Sequence, residues 1–462
     1  VGDNHANEWL NSCIITFQPQ TKDELQTAVD LWVSDNVAAL ATYGEINDWD
    51  VSLVTDMSNL FNGKGTFNDD IGNWDISNVT NIQAMFNNAT TFNQDLNDWS
   101  VSNVSNMNHV FVNAESFNGD ISNWDVSNVS TMEALFQNSA FDGDISNWDV
   151  SNVINMTSFF RSTNFNQDIS GWDLSSSPQI NAMFMDNPSF NQDISGWNID
   201  GMWTLGGTFQ NASSFNQDIS SWDVSTILDM VNTFSGATSF NQDLSSWDVS
   251  SVTDMRYTFS GASAFNGDIS SWDVSSVTNM SRMFISASSF NGDLSNWDLS
   301  SVTNISFMFF GAHVFNQNIG DWDVSSVTNM RELFVDAMVF DQDLSSWDVS
   351  NVSDMYGMLS NTYSFNQDIS SWDVSSATNM DWMFSGATSF NQDISSWDIS
   401  GVTTMTGMFN GTGALSDENK CSLNESFSTN NAWPYDWSDL CVITFQPQTT
   451  AELQTAVDMW VD

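Results

Sequence analysis

Residues 265–289 read FNGDISSWDVSSVTNMSRMFISASS, and this 25-residue pattern recurs along most of the 462-residue chain. Fifteen of the 22 tryptophans, from Trp49 to Trp397, mark its copies; twelve of the fourteen intervals between them are 25 residues and two are 24. A fixed period of this length indicates a stack of coils, each of which buries its apolar face against its neighbours. We therefore expect one elongated array rather than several globular domains.

Two periodicities occur within each copy. In ISSWDVSSV, residues 269–277, apolar and polar residues alternate as in a strand with one buried face. In MSRMFISA, residues 280–287, the apolar residues stand three or four apart, as in a short helix. The pattern predicts an α/β repeat solenoid of about 15 coils, with one parallel sheet and short helical or 3₁₀ segments on the other side. The coil with GMWTLGGTF, residues 201–209, departs most from the pattern and is predicted to mark a bend.

The repeat resembles that of the BspA-like leucine-rich-repeat surface proteins, which carry the same WDVSxVTxMxxMF core. The resemblance covers about residues 35–410. It implies a leucine-rich-repeat-like solenoid in which Trp and Val hold the strand positions usually held by Leu. It also implies a surface role in adhesion or attachment, and it supplies no catalytic residue.

The charge of the chain limits its partners. Seven Lys and Arg face 58 Asp and Glu, which gives a net charge of −51. Such a surface repels nucleic acid and anionic membranes, so neither is expected as a partner. Hydrophobic residues make up 41% of the chain and aromatic residues 13%, which is enough for a large core. The chain contains no run of 18 or more apolar residues, so membrane insertion is not predicted.

A motif near the start of the chain returns near its end. Residues 13–33 read CIITFQPQTKDELQTAVDLWV and residues 441–461 read CVITFQPQTTAELQTAVDMWV, identical at 17 of 21 positions. The first copy leads into the array and is the expected N-terminal cap, a strand followed by an amphipathic helix. The second copy has no array to cap within this chain.

This duplication has two main interpretations. Either the chain is one unit of a longer tandem polypeptide, or its terminal segment docks onto a neighbouring chain; both produce a head-to-tail contact that propagates into a filament. A plain internal duplication without a polymer is the alternative. The predicted organisation is a tail of a preceding unit (1–12), an N-terminal cap (13–44), the repeat solenoid (45–411), a C-terminal cap loop (412–440) and the start of the next unit's cap motif (441–462).

The three cysteines fit this organisation. We predict a Cys421–Cys441 disulfide, which would stabilise the cap by roughly 3 kcal/mol by closing a loop of about 20 residues. Cys13 is the counterpart of Cys441 and is predicted to pair with a cysteine of an upstream or neighbouring unit. Disulfides favour an extracellular or cell-surface location, with three free thiols in a reducing cytosol as the alternative.

Two columns of aspartates repeat with the coils. The residue after the repeat Trp is Asp in 13 of 15 coils, and so is the residue four before it. Stacked carboxylates repel unless they are solvated, hydrogen-bonded to backbone N–H groups or bridged by cations, and Ca²⁺ prefers oxygen ligands. A calcium ladder is therefore one hypothesis, and turn capping with solvation is the other. The candidates for the ladder are Asp125, Asp149, Asp223, Asp248, Asp273, Asp298, Asp323, Asp348 and Asp373.

The sequence contains no pattern that indicates an enzyme. His5, His109 and His313 are its only histidines, and no nucleophile, metal or phosphate-binding motif accompanies them. We predict an extracellular repeat protein that assembles head to tail with copies of itself, without a cofactor, for adhesion or attachment. The alternatives are a monomeric adhesin or glycan-binding module that recognises surface or matrix glycans or proteins, and a polysaccharide-active enzyme.

Overall fold

The structure is a computed structural model that describes residues 16–441 and 449–461. Four α-helices are present in these ranges: α1 (Lys22–Ser34), α2 (Asn36–Tyr43), α3 (Asp417–Phe427) and α4 (Thr450–Val461). Short 3₁₀ turns cover Ile46–Asp48 and Ser438–Leu440. None of the described helices has both the length and the apolar composition needed to cross a bilayer.

The first two helices begin and end at residues suited to these positions. The Thr21 hydroxyl accepts a hydrogen bond from the Glu24 N–H, which caps α1, and acidic residues in the first turn favour its positive N-terminal end. Asp35 then caps α2 by accepting from the Ala38 N–H at 3.1 Å. Helix α2 ends at Tyr43 and is followed by Gly44, whose φ of 76° is in the left-handed region.

From Trp49 to Ser416 the array contains neither strands nor helices, so the predicted leucine-rich-repeat-like α/β solenoid, with one parallel sheet and helical or 3₁₀ segments in its coils, is wrong. Each coil is instead a succession of tight turns closed by hydrogen bonds from one residue to the third before it. In the coil 265–289 such bonds run from Trp272 N to Ile269 O, from Val277 N to Val274 O, and from Met283 N to Met280 O.

Successive backbone N–H groups donate alternately to the next coil and within their own coil, and this explains why the helix-like spacing does not produce a helix. The N–H groups of residues 280, 282, 284 and 286 donate to carbonyls of the next coil at 2.6–3.0 Å. Those of residues 283, 285 and 287 donate within their own coil. Arg282 and Ser286 have φ values of 62° and 56°, and left-handed residues at these places interrupt any α-helix. The three-residue apolar spacing is therefore that of consecutive turns.

Beside these hydrogen bonds, neighbouring coils share one isolated parallel bridge, which is too short to be a strand. The bridges link Asp56 to Asn81 and continue coil by coil to Thr404, with one interruption between Gln179 and Thr204. Pro178 precedes Gln179 and has no N–H, so Gln179 N donates to Ile154 O instead. The interruption adjoins the coil at 201–209 that departs most from the repeat.

Stacked aromatic rings form the core of the array. The fifteen repeat tryptophans are all buried. Adjacent indoles such as those of Trp247 and Trp272 lie nearly parallel, with ring centroids 6.4 Å apart. The Trp272 Nε1–H donates to the Leu244 carbonyl at 3.0 Å, so the ring is buried without an unsatisfied donor. Phe284 and Phe290 form a second stack at 4.0 Å.

The last coil is covered by α3 and an aromatic cluster. Helix α3 buries Leu423 and Phe427, and the Tyr435 hydroxyl accepts from the Phe409 N–H at 2.8 Å. Cys421 and Cys441 form the predicted disulfide, with their Cα atoms 5.0 Å apart. The disulfide joins α3 to the end of the segment that carries the aromatic cluster.

Candidate functional site

Helix α1 packs its apolar side against the first coil of the array. Leu25, Ala28 and Val29 are completely buried, and Trp32 is only 5% exposed. The Trp32 ring meets the Trp49 ring edge to face, with centroids 5.8 Å apart. Helix α1 therefore keeps water from the end of the aromatic core.

Polar contacts fix the position of α1 on this coil. We call the residues that receive it the first-coil surface: Trp49, Asp56, Leu60, Lys64 and Asp69. The contacts are Lys22 Nζ to Asp56 Oδ2 at 3.1 Å, Gln26 Nε2 to Leu60 O at 3.0 Å, Trp32 Nε1 to Asp69 Oδ2 at 3.0 Å, and Lys64 Nζ to Asp30 Oδ1 at 2.5 Å.

Helix α4 has nearly the same apolar residues on one side as α1, but on α4 these side chains are exposed to solvent. Leu453, Val457 and Trp460 correspond to Leu25, Val29 and Trp32 of α1, at the constant offset of 428 residues. Their exposed fractions are 48%, 47% and 92%. Exposed apolar side chains on one helix side are typical of a surface that another element covers.

The polar residues of α1 are also mostly repeated. Gln454 Nε2 donates to Asp458 Oδ1 at 2.7 Å, as Gln26 does to Asp30 at 3.0 Å. One difference is that Thr450 replaces Lys22, so α4 lacks the ammonium group that pairs with Asp56. Helix α4 can therefore make three of the four polar contacts that hold α1.

The aspartates that follow the repeat Trp residues all accept hydrogen bonds within their own turns. Asp273 Oδ1 accepts from the Ser275 N–H at 3.0 Å and from the Ser275 hydroxyl at 2.7 Å. The other eight ladder candidates accept from the backbone N–H two residues later in the same way. Capping of a tight turn therefore accounts for one oxygen of each carboxylate.

These hydrogen bonds favour the charged form of the carboxylates. Hydrogen bonds from the Ser275 hydroxyl and, to a smaller extent, the Ser275 N–H lower the pKa of Asp273 below its ordinary value, although slight burial and then the negative charge of Asp298 oppose this. The pKa values of Asp125, Asp223, Asp298, Asp348 and Asp373 are lowered by the same kind of contact.

The second column, four residues before the repeat Trp, has the same arrangement in most coils, although Asp95 Oδ1 accepts from the Asp120 N–H of the next coil at 3.0 Å instead. Asp268 Oδ1, for example, accepts from the Ser270 N–H at 2.9 Å. Among the described residues, the one set of three or more His, Cys, Asp or Glu side chains with ligand atoms within 4.8 Å is Cys421, Glu425 and Cys441, where both sulfurs are in the disulfide. The structure does not bring the aspartates into such a set, and calcium binding stays a prediction.

Cys13 lies outside the described residues, so its predicted partner is not tested. Part of each copy of the duplicated motif, residues 13–15 of the first and residues 442–448 of the second, lies outside them as well. The domain limits proposed for these segments stay predictions.

A family comparison covers most of the array. The family described as "Mycoplasma protein of unknown function, DUF285" matches residues 33–142, 135–245, 203–322 and 308–422. The chain belongs to this family. The DUF285 matches begin within α1 and end within α3, so α4 lies beyond them. They confirm the tandem repeats. No curated protein matches the chain.

Sequence reasoning missed a cluster of arginine and aromatic side chains within this DUF285 array. Arg256, Arg282 and Arg331 are three of only seven Lys and Arg residues in the chain; the Arg282 guanidinium lies over the Tyr257 ring and that of Arg331 over the Tyr356 ring. The concentration of rare basic residues within a few coils was a signal available in the sequence.

Proposed function

We propose that this chain is an extracellular structural repeat protein whose copies join head to tail into a filament or surface appendage. Copies of the chain are its principal partners, and we propose no catalytic role. Its use in adhesion or attachment is supported by the resemblance of its repeat to that of the BspA-like surface proteins.

The exposed apolar side of α4 carries the proposal. The same residues on α1 are buried against the first-coil surface, which shows what such a helix covers. We infer that α4 of one copy occupies the first-coil surface of the next copy. The joint has the same geometry whether the next copy is a separate chain or follows on the same polypeptide.

Between separate chains, α4 competes with the helix that already covers the first-coil surface. Helix α1 has the ion pair from Lys22 to Asp56 and is tethered to the coil that it covers, so it has the advantage. Removal of α1 should therefore favour the joint. Once α1 is removed or displaced, each copy offers one α4 and one first-coil surface, so the contact between different surfaces of two copies propagates along one direction.

The proposed location is supported by the disulfide between Cys421 and Cys441, because disulfides persist in oxidising environments outside the cytosol. The excess of acidic residues also makes the sides of two copies repel each other. End-to-end contacts are therefore favoured over side-by-side contacts.

Sedimentation and negative-stain imaging of the chain without residues 1–34 test the proposal. We expect concentration-dependent linear oligomers, which Leu453→Asp or Val457→Asp abolishes because a carboxylate would be buried in the joint. Thr455→Asp is the matched control, since its counterpart Thr27 stays exposed on α1 and the substitution should leave assembly intact.

A shortened chain that remains monomeric at every concentration, with its array folded, would exclude α4 as the joint. Saturable binding of that monomer to one surface glycan or protein would instead support the monomeric adhesin.

A further inference from the structure

One column of the array, one residue per coil, carries large side chains in the left-handed conformation. Its members include Tyr257, Arg282, Phe307, Glu332 and Trp382, with φ values between 52° and 62°. Because adjacent members belong to adjacent coils, each side chain lies between those of the coils before and after it. The column is therefore a row of side chains stacked along the array.

Arg282 shows how this column holds a guanidinium group. Its Cζ lies 4.4 Å from the centre of the Phe307 ring and 5.4 Å from the centre of the Tyr257 ring. The guanidinium is thus placed between aromatic side chains of the preceding and following coils. Such cation–π contacts are favourable because the ring faces carry negative potential.

Gly357 occupies the same column three coils later and leaves a cleft. It lies between Glu332 of the preceding coil and Trp382 of the following coil. The cleft has a volume of about 220 Å³, and its other lining residues are Val335, Tyr356 and Ser360. This is smaller than the roughly 300–1,000 Å³ of sites for drug-sized molecules and is suited to a single side chain.

The two walls of the cleft favour a cation. The Trp382 ring lies beside Gly407, where a Cβ atom would come within 2.8 Å of two ring carbons, so the following coil supports the ring on that side. Trp382 is 38% exposed, and the Glu332 side chain opposite is 19% exposed. Glu332 already pairs with Arg331 Nη2 at 3.4 Å, and the positive charge of Arg282 also acts on its carboxylate.

Neighbouring side chains keep Arg331 away from the Trp382 wall. The Arg331 Cζ lies 3.9 Å from the centre of the Tyr356 ring, and its Nη1 lies 3.7 Å from Asp354 Oδ2. Among the described residues, no cation–π contact to Trp382 is present. The Trp382 ring, which lines the cleft, is therefore available to an external cation.

We propose that the Gly357 cleft binds the guanidinium group of an arginine side chain from a partner protein, between the Glu332 carboxylate and the Trp382 ring. The chain itself supplies a precedent for the aromatic wall, because the Arg282 guanidinium lies between two aromatic side chains of the same column. The net charge of −51 favours the approach of a cationic partner and disfavours an anionic one. A planar guanidinium also stacks on an indole better than a compact ammonium does.

Titration with N-acetyl-arginine methylamide at physiological ionic strength tests the site in the full chain. Binding is followed by NMR of the indole N–H groups in protein with ¹⁵N-labelled tryptophan, in which Trp382→Phe identifies the Trp382 resonance. We expect that resonance to shift saturably. The matching citrulline derivative, which is neutral and of similar shape, should cause no saturable shift.

Variants of the cleft distinguish the site from general attraction to an acidic protein. Glu332→Gln should weaken binding by about threefold, as expected for loss of a partly exposed charge pair. Gly357→Arg should abolish the response by filling the cleft from within, and Arg282 shows that the column accepts arginine at positive φ. Trp203, 52% exposed at another position of the repeat, is the control resonance and should not shift.

The proposal is overturned if the Trp382 resonance responds equally to the citrulline derivative, or if Trp203 shifts with the same concentration dependence. It is also overturned if Gly357→Arg, with the other indole resonances unchanged, still binds the arginine derivative. None of these results depends on whether copies assemble through α4.

Discussion

At the scale of single residues, the aspartate after each repeat Trp is an acceptor for its own turn. Asn198 holds this position in one coil, and its Oδ1 accepts from the Asp200 N–H at 3.0 Å. An amide therefore suffices. We predict that Asp273→Asn changes the free energy of unfolding by less than about 0.5 kcal/mol, whereas Asp273→Ala costs about 1 kcal/mol. Denaturant unfolding of the two variants measures both values, and equal losses would contradict turn capping.

The lowered pKa of Asp273 gives this comparison a defined pH dependence. A carboxyl whose pKa is lowered in the folded state contributes stability above its ordinary value of 3.8, and this contribution is lost as the pH falls through the lowered pKa. The wild type should therefore lose stability relative to Asp273→Asn as the pH falls below 3.8. Because both proteins share the remaining charges, thermal melts from pH 6 to 2 isolate this residue, and a pH-independent difference would exclude the effect.

The residue patterns predicted which side chains are buried better than they predicted the secondary structure of the backbone. The alternation of apolar and polar residues correctly identified buried positions such as Trp272 and Val274. In the structure the Asn after the repeat Phe also links neighbouring coils, since the Asn266 backbone N–H donates to Asn241 Oδ1 at 2.7 Å. The exposed cleft at Gly357 could not be predicted, because it depends on which side chains the stacking places on either side of a glycine.

At the scale of elements, α1 and α4 are a natural pair for comparison. Leu25 is completely buried and Leu453 is about half exposed, although both occupy the same position of one motif. We predict that Leu25→Ala destabilises the first coil by about 2–5 kcal/mol, while Leu453→Ala changes the stability of the monomer by less than about 0.5 kcal/mol. Hydrogen exchange of residues 49–69 measures the first effect, and global thermal unfolding measures the second. A large effect of Leu453→Ala on the dilute monomer would show that α4 already packs within its own chain.

The coils show why the elements themselves were predicted wrongly. Alternation of apolar and polar residues indicates which side chains are buried, and this inference held for Trp272 and Val274. It does not specify whether backbone groups bond to the next coil continuously or at one bridge. The turn at Ser275 and the left-handed Arg282 break the chain into segments too short for a strand or a helix. Local turn chemistry thus prevailed over hydrophobic periodicity.

At the scale of the whole molecule, the acidic surface opposes the compact stack through charge repulsion. Screening by salt should raise the melting temperature, since the Debye length falls from about 10 Å at 0.1 M to about 3 Å at 1 M. If the aspartate columns only cap turns, CaCl₂ and NaCl at equal ionic strength should give equal melting temperatures. A rise at micromolar Ca²⁺ that a chelator reverses would instead support the calcium ladder. Differential scanning fluorimetry decides between them.

The joint between copies is the central claim, and carbodiimide cross-linking tests it most directly. Lys64 pairs with Asp30 of α1, and Asp458 is the counterpart of Asp30 on α4. In an equal mixture of ¹⁴N- and ¹⁵N-labelled chains without residues 1–34, Lys64 should form an amide with Asp458, and mass spectrometry should find the linked peptides with mixed labels. If Lys64 is cross-linked to no residue of α4, or only within single chains, head-to-tail assembly through α4 is contradicted.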